Sequence, residues 1–328
     1  MGFWKGKKVL VTGGAGFIGS HLVDRLVALG ANVTVIDDLS RGKLENLATS
    51  FSKIKFIQAD LSKETSQVYF ANQEFVFHLA SIVGGVKKMS TKQTISAIIP
   101  TIDRNVYEAC VKYEIKKVLY TSTACVYPVF LQTKEYEDYF LKEEDVFAQG
   151  AKPESIYGWS KLYGEILGRR YYEEFGLNVA IVREFNVYGE REDFDPETSH
   201  CIPALVRRAL RRENPFVVWG TGEQSRSFLY VTDAVEGMIL TMEKISDATP
   251  INLGAEERIK IKDLALKILQ ISGYNAKPMF DHSAPMGVFT RAPDITRAKI
   301  ILHWKPKINL NEGIKRVIEW YKQRLFHE

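Results

Sequence analysis

The sequence predicts an α/β fold in which a doubly wound parallel sheet carries a smaller C-terminal substrate-binding lobe, and three observations lead there. Short runs rich in Val, Ile and Phe alternate with longer amphipathic runs through the first half of the chain, the pattern of β-α-β units. A glycine-rich turn joins the first strand to the first helix. After Tyr188 the composition changes, and 189–203 is a polar, proline-containing stretch that reads as a loop leaving the sheet. A chain of 328 residues is long enough to bury one large core with a second lobe attached.

The first element, Lys8-Val9-Leu10-Val11-Thr12, reads as a buried strand. Gly13-Gly14-Ala15-Gly16-Phe17-Ile18-Gly19 then opens an apolar-periodic helix that runs to about Leu29. Strand, glycine turn and helix in that order are the context in which such glycines signal a dinucleotide site of the Rossmann type. They permit a tight turn, let pyrophosphate approach the backbone and bring the helix close, with its N-terminus toward the phosphates. Gly13, Gly16, Phe17, Ile18 and Gly19 are therefore candidate cofactor-binding residues. A second strand, from Asn32 to Ile36, ends at Asp37, whose carboxylate suits a ribose diol and repels a 2′-phosphate. NAD is the expected cofactor, with Arg41 close enough to soften the preference over NADP.

Further strands are expected at 55–58, 75–78, 117–122 and 179–183. The longest helices are expected around 91–113 and 155–175. Residues 229–244 and 251–253 read as a helix and a strand that return to the sheet. The expected division is thus a dinucleotide-binding domain, 1–188 with return segments at about 229–254, and a second lobe, 189–228 and 255–328. A substrate belongs in the cleft between them, outside the carboxyl ends of the strands.

Composition excludes several classes. The net charge is +4, from 44 basic and 40 acidic residues that are interspersed, which gives no reason to expect a nucleic acid partner. The cluster Arg207, Arg208, Arg211 and Arg212 reads as a solvated helix face. No long apolar run suggests a membrane span, and the N-terminus lacks the apolar stretch of a signal peptide, so a soluble cytoplasmic protein is expected. Cys110, Cys125 and Cys201 show no CxxC spacing, which points to a reducing compartment, and the six histidines fall outside metal-ligand spacings. No metal is expected.

The chemistry centres on Ser155-Ile156-Tyr157-Gly158-Trp159-Ser160-Lys161. Tyr157 and Lys161 stand one helical turn apart on one face, so the ammonium is expected beside the phenol, favouring its ionised form. A free phenol titrates near pH 10, and a fixed cation would bring it toward neutrality. Beside a hydride carrier, such a phenol implies redox chemistry on an alcohol or ketone.

With these stand Asp37-Asp38-Leu39-Ser40, Ala59-Asp60-Leu61, His78-Leu79-Ala80, Phe185-Asn186-Val187-Tyr188-Gly189 and Gln224-Ser225-Arg226-Ser227-Phe228-Leu229-Tyr230-Val231-Thr232-Asp233. Together the motifs cover nearly the whole chain, which resembles the extended short-chain dehydrogenase/reductases that act on nucleotide sugars. The resemblance implies that Tyr157 carries the proton, that Lys161 binds the nicotinamide ribose, and that the Thr123 hydroxyl bonds the reacting sugar oxygen. It implies that Asp60 meets the adenine end, with Leu61 and Ala80 in the same cofactor motifs. Arg226 and Arg291 look like diphosphate-binding arginines, for which a guanidinium fork is well shaped. Asn186 would hold a phosphate or sugar oxygen, and Gly85, after Gly84, would let the sugar approach the backbone. The helices around 91–113 and 155–175 would pair in a four-helix bundle, giving a homodimer.

Dehydratases of that family carry an Asp-Glu pair directly after the threonine hydroxyl, where this chain has Ala124 and Cys125. Ser122-Thr123-Ala124-Cys125-Val126-Tyr127-Pro128 instead resembles GDP-mannose 3,5-epimerase and GDP-fucose synthase, which use a cysteine there as one acid/base. Ser199-His200-Cys201-Ile202-Pro203-Ala204-Leu205 resembles the loop that supplies the synthase's second acid/base, with His200 as partner. Pro285-Met286-Gly287 adds a resemblance that favours a GDP-linked sugar. The expectation is an NAD-dependent nucleotide-sugar epimerase that oxidises carbon 4 and inverts carbon 3, carbon 5 or both. A 4-epimerase, or a carbon 4 dehydrogenase or reductase, is the alternative; a 4,6-dehydratase or a non-catalytic NAD-binding protein is further removed.

Overall fold

The computed structural model describes residues 2–83 and 93–325. Seven parallel strands form the main sheet: β1 (Lys8–Thr12), β2 (Asn32–Asp37), β3 (Ile54–Gln58), β4 (Phe75–His78), β5 (Lys117–Thr123), β6 (Val179–Glu184) and a last strand, Asp247–Leu253. The last strand lies outermost beside β6, followed by β5, β4, β1, β2 and β3. The order reverses direction at β1, which sits between β2 and β4, so the crevice opens above the carboxyl ends of those strands.

Alternation along each strand explains how helices cover both faces. Val9 and Val11 point to one side with Val33, Val35, Phe77 and Val182, where α1 (Phe17–Ala28) and the helix Val231–Lys244 cover them. Leu10, Val76, Val118, Tyr120 and Ile181 point to the other side, under Ile102, Val106 and Tyr107 of the helix Ile99–Lys112. The helix Ile156–Phe175 lies on that second side and starts sharply because Ser155 accepts a hydrogen bond from Gly158 N at 3.2 Å. It stops at Gly176, which takes the left-handed conformation at φ 67°.

The long helix expected from 91 to 113 is two pieces over its described part, a tight 3-10 turn at Gln93–Ile98 and then Ile99–Lys112. Pro100 lies at the start of the α-helix, where its missing N–H costs nothing. The loop expected from 189 to 203 ends sooner, since the helix Cys201–Leu210 begins after the extended His200. Pro203 sits in its first turn, again where no intrahelical N–H bond is lost. Residues 229 and 230 are a short strand beside Val187–Tyr188, and the helix starts at Val231.

A second apolar core gathers Ile202, Leu205 and Val206 with Leu264 and Ile268 of the helix Ile261–Ser272 and Ile314 and Val317 of the helix Leu310–Leu325. Ile295, Ala298, Leu302 and Trp304 pack instead with the first core, clasping the helix Val231–Lys244. Outside the main sheet the strand Ser225–Ser227 pairs with Arg258–Lys260 and with Thr290–Arg291. Among the described residues no helix is long and apolar enough to cross a membrane, and the three cysteines are free thiols.

Candidate active site

A cavity of about 1450 Å³ runs from the glycine turn, over the carboxyl ends of the strands, to the second lobe. At its cofactor end the turn is built without side chains for steric reasons. Gly13 has φ +70°, and a Cβ there would lie 2.7 Å from Ala80 N; a Cβ on Gly19 would lie 2.2 Å from Gly13 O. Phe17 and Ile18 begin α1 and line the cavity. The turn is fixed from β2, because Asp37 accepts hydrogen bonds from Ala15 N at 3.0 Å and Leu39 N at 2.9 Å. Each oxygen keeps a lone pair for a ribose hydroxyl, and burial pushes the Asp37 carboxyl above its ordinary value.

Asp60 lies farther along, its carboxyl held low first by the Ser62 side chain and also by Ser62 N–H, which donates to it at 2.8 Å. Leu61 and Ala80 complete this wall. Arg41 is engaged across the cleft, donating to Asp193 at 2.8 Å and to the Val83 carbonyl, so no free guanidinium faces the Asp37 carboxylate from this residue. A cradle that Cβ atoms would fill, a helix N-terminus and an acidic ribose acceptor fit a dinucleotide carrying a free 2′-hydroxyl.

Thr123, Cys125, Tyr157 and Lys161 come together at the middle of the cavity. β5 ends at Thr123, the chain turns at Ala124–Val126, and the start of the Tyr157 helix lies against that turn. The Thr123 hydroxyl acts on the Tyr157 phenol, favouring its ionised form, and accepts Cys125 N at 3.3 Å. Lys161 is buried, only 3% exposed, and its ammonium sits 4.3 Å from the centre of the Tyr120 ring. Burial lowers its titration, while Asp103, Glu184 and Glu165 pull it back up.

Tyr157 accordingly moves opposite to the expectation, upward. Burial is the main cause, followed by electrostatic interaction with the acidic groups Cys125 and Glu184, with Thr123 acting the other way. Spacing put the two side chains on one helix, but burial of the phenol outweighs the cation on the next turn, whose ammonium also meets the Tyr120 ring and the charges of Asp103, Glu184 and Glu165.

A buried relay anchors this corner. His78 meets Thr12 Oγ1 at 2.8 Å and Asp103 at 3.0 Å, and Tyr120 donates to Asp103 at 2.7 Å. With Nε2–H donated to the carboxylate, His78 Nδ1 accepts from Thr12, whose oxygen in turn accepts Ala80 N at 3.2 Å. Burial lowers the His78 titration. The relay therefore links the cofactor wall to the ring that carries Lys161.

On the second lobe, Arg226 and Arg291 face each other in register between two short strands, a concentration of positive charge suited to a diphosphate. Both are presently used by the protein. Arg226 donates to the Ser225 and Val288 carbonyls at 2.7 and 2.6 Å, and burial with the Arg291 charge lowers it to about 10. Arg291 donates to Gln132 at 2.6 Å, to Cys125 Sγ at 3.4 Å and to Glu154. Burial raises the Cys125 thiol, and Arg291 opposes that.

Asn186, at φ 38°, donates to the Ser227 carbonyl at 2.8 Å and lines the cavity. His200 lines the cavity too, but beside Glu192, at 2.7 Å, with its side chain half exposed. Partial desolvation in the cavity pulls the imidazole down, and the Glu192 hydrogen bond and charge more than reverse this, so it titrates above its ordinary value. The charges acting on His200 are Glu192, Arg41 and Asp193, while those acting on Cys125 are Arg291 and Glu154. The structure thus places the two residues in one cavity with separate neighbours. Gly84 and Gly85 lie outside the described residues.

Several cavity residues escaped the sequence reading. Glu154, Glu192 and Asp193 are loop acids without a spacing signal. Glu184 had one, because a charged residue ending a run as apolar as Val179–Val182 sits where parallel strands present their sites.

The doubly wound sheet, the glycine cradle and the Thr123-Tyr157-Lys161 cluster define the class, a nicotinamide-dependent short-chain dehydrogenase/reductase-type enzyme. The comparisons carry this to the family. Residues 9–254 match the NAD dependent epimerase/dehydratase family, and the chain belongs to it. It is 33% identical over 326 residues to UDP-N-acetyl-alpha-D-glucosaminuronate decarboxylase of Bacillus cytotoxicus, covering 97% of this chain and 98% of that one. It is 30% identical to GDP-mannose 3,5-epimerase 1 of Oryza sativa subsp. indica, over 99% and 85% of the two chains. The crystal structure of the UDP-glucose 4-epimerase of Thermotoga maritima with UDP-glucose superposes with a TM-score of 0.87 at 31% identity, over 97% and 99% of the two chains.

Proposed function

We propose that the protein is an NAD-dependent nucleotide-sugar epimerase that oxidises carbon 4 of a hexose, inverts carbon 3, carbon 5 or both, and then reduces carbon 4 again. NAD, when bound, supplies the hydride acceptor and later the donor. The chain supplies the rest. Asp37 and the glycine turn hold the adenosine half, and Lys161 anchors the nicotinamide end. Thr123 orients the carbon 4 hydroxyl, and Tyr157 moves its proton. The observation that carries the reading is the meeting of Thr123, Cys125 and Tyr157 on one stretch of cavity wall.

A ketone at carbon 4 acidifies the protons on carbons 3 and 5, and inversion then needs one group to remove a proton and another to return one on the opposite face. Cys125, a protonated thiol when buried, suits delivery, and His200, poised by Glu192, suits transfer near neutrality. Arg226 and Arg291 are proposed to release their present partners and take the diphosphate. Met286, whose carbonyl accepts from Arg226 at 3.3 Å, belongs to the segment whose resemblance favours GDP. Because similar proteins act on UDP-sugars and on GDP-mannose by name, both bases belong in the assay.

The separate neighbours of Cys125 and His200 favour a second reading, a 4-epimerase, which needs no inversion pair. The two readings are distinguished in heavy water with GDP-mannose and UDP-glucose. Under the first, Cys125→Ser and His200→Asn each abolish deuterium uptake at ring carbons 3 and 5, measured by mass spectrometry. Uptake at neither carbon in the wild type, with carbon 4 inverted, establishes the second.

We propose a homodimer through the Tyr157 helix. Trp159, Tyr163 and Ile166 form one stripe along it and are 50%, 48% and 43% exposed, an apolar face of the kind that marks an interaction surface. Tyr163→Glu is expected to give a monomer by sedimentation velocity where the wild type is dimeric; a monomeric wild type contradicts the proposal. The three free thiols support a reducing, cytoplasmic location.

A further inference from the structure

One buried carboxyl in the active centre has no part in the chemistry above. Glu184 is the last residue of β6 and stands in register beside Thr123 of β5 on one flank and Leu253 on the other. Parallel neighbours in register project to the same face, so the Glu184 carboxyl and the Thr123 hydroxyl share one stretch of cavity wall. Its Oε1 is fully buried and has no hydrogen-bond partner. A buried acceptor left without a donor is costly and rare, and it marks a position where a missing group completes the structure.

The charge that acts on it is Lys161, from the Tyr157 helix, and Glu184 acts in turn on the phenol of Tyr157; Asp103 of the helix Ile99–Lys112 acts on Lys161. Among the described residues Lys161 has no carboxylate within salt-bridge reach, so its attraction for Glu184 acts across a gap. The neighbouring Arg183 is fully occupied by Glu165.

We propose that Glu184 is the acidic counter-group of the nicotinamide ring, ionised opposite the oxidised, positively charged ring and protonated once that charge is gone. The inference rests on the NAD-dependent reading above and assigns it one more acid–base residue. The balance of the oxidation closes without an outside base. The hydride leaves carbon 4 with its electron pair for the nicotinamide. The carbon 4 hydroxyl proton passes to the Tyr157 oxygen, whose own proton moves by way of the Thr123 hydroxyl to Glu184. The nicotinamide ring and Glu184 carry one positive and one negative charge before the step and neither after it, while the Lys161 ammonium is unchanged. Reduction of the ketone runs the same transfers backward, so the proton is kept within the site for return.

The free protein suits this role, because burial holds the Glu184 carboxyl up to about 8 although Lys161 opposes it. At neutrality the acid is mostly protonated, and a cation placed beside it depresses its titration and expels the proton. NAD⁺ affinity must then increase with pH up to about 8 and level off, while NADH affinity stays flat.

The test is isothermal titration of the purified protein, cleared of endogenous dinucleotide, with NAD⁺ and with NADH in two buffers of different ionisation enthalpy. The expected result at pH 7 is release of close to one proton per NAD⁺ bound and none per NADH. Glu184→Gln is expected to release none with either, and to lose about tenfold in NAD⁺ affinity relative to NADH. Equal proton counts for the wild type and Glu184→Gln, or an unchanged NAD⁺ to NADH ratio, overturn the proposal while leaving the cofactor reading intact. If Glu184→Gln fails to fold, the wild-type pH profiles decide alone, and parallel profiles for the two cofactors sink the idea. Failure to bind either cofactor removes the NAD-dependent reading itself.

Discussion

Tyr157→Phe lowers kcat by about 10²- to 10⁴-fold, the range that a positioned proton carrier contributes, while NAD affinity and thermal midpoint stay close to wild type. Phenylalanine keeps the ring at the start of the helix and deletes only the oxygen on which Thr123 acts. The upward displacement of the phenol makes the loss a sharp test. At neutral pH the oxygen carries its proton, so it works by exchanging one proton for another and cannot be replaced by hydroxide from solvent in a centre as dry as the one around Lys161. Steady-state kinetics with a turned-over nucleotide sugar read the effect, and cofactor titration confirms that the site is formed. A Phe variant retaining more than a tenth of wild-type kcat contradicts the role assigned to Tyr157.

Glu165→Leu destabilises the fold by about 3–5 kcal/mol, the cost of breaking a buried ion pair and leaving one charge alone. Glu165 grips Arg183 with two hydrogen bonds, 2.9 and 2.7 Å, and also accepts from Ser122. The two charged side chains are only 6% and 2% exposed. Arg183 has further acceptors in the Glu143 carbonyl at 2.7 Å and the Tyr127 hydroxyl at 3.3 Å, but neither is charged in the folded protein, since burial pushes the Tyr127 phenol up. The guanidinium would stay in the core without its paired carboxylate, with only the less direct charge of Glu143 opposite it. Replacing both partners, as in Glu165→Leu with Arg183→Met, is expected to recover much of the loss because no lone charge remains. Urea denaturation of the three variants measures this, and a single variant as stable as the wild type contradicts it.

How far the sequence disclosed this molecule depends on the range of the interactions involved. The glycine turn, the β1 to β2 unit and Asp37 were legible because each is set by neighbours within one β-α-β unit, where periodicity and glycine carry physical meaning. β6 was legible as a strand from Val179 onward for the same reason. The partners of the charges that end it were not: those of Arg183 and Glu184, or their lack, depend on the Tyr157 helix and on empty space. Spacing correctly placed Tyr157 and Lys161 on one helix, but could not reveal that the Tyr120 ring and the Asp103 and Glu184 carboxylates compete for the ammonium. The coupling of Arg291 to Cys125 and Glu154 joins segments far apart in the chain, and no local pattern announces it. His200 reached the cavity as its motif suggested, yet its partner Glu192 was unmarked within a polar loop.

The central claim is that this centre removes hydride from carbon 4 of a nucleotide sugar and gives it back. The most direct measurement mixes the NAD-loaded protein rapidly with a nucleotide sugar deuterated at carbon 4, following the near-ultraviolet absorbance of reduced nicotinamide and the isotope in the recovered sugar. The account predicts a transient rise that decays without net reduction, slowed by deuterium, with the label still on carbon 4 of the epimerised product. A tightly bound cofactor that never absorbs as reduced nicotinamide with any GDP- or UDP-hexose, together with unaltered sugar, would contradict it.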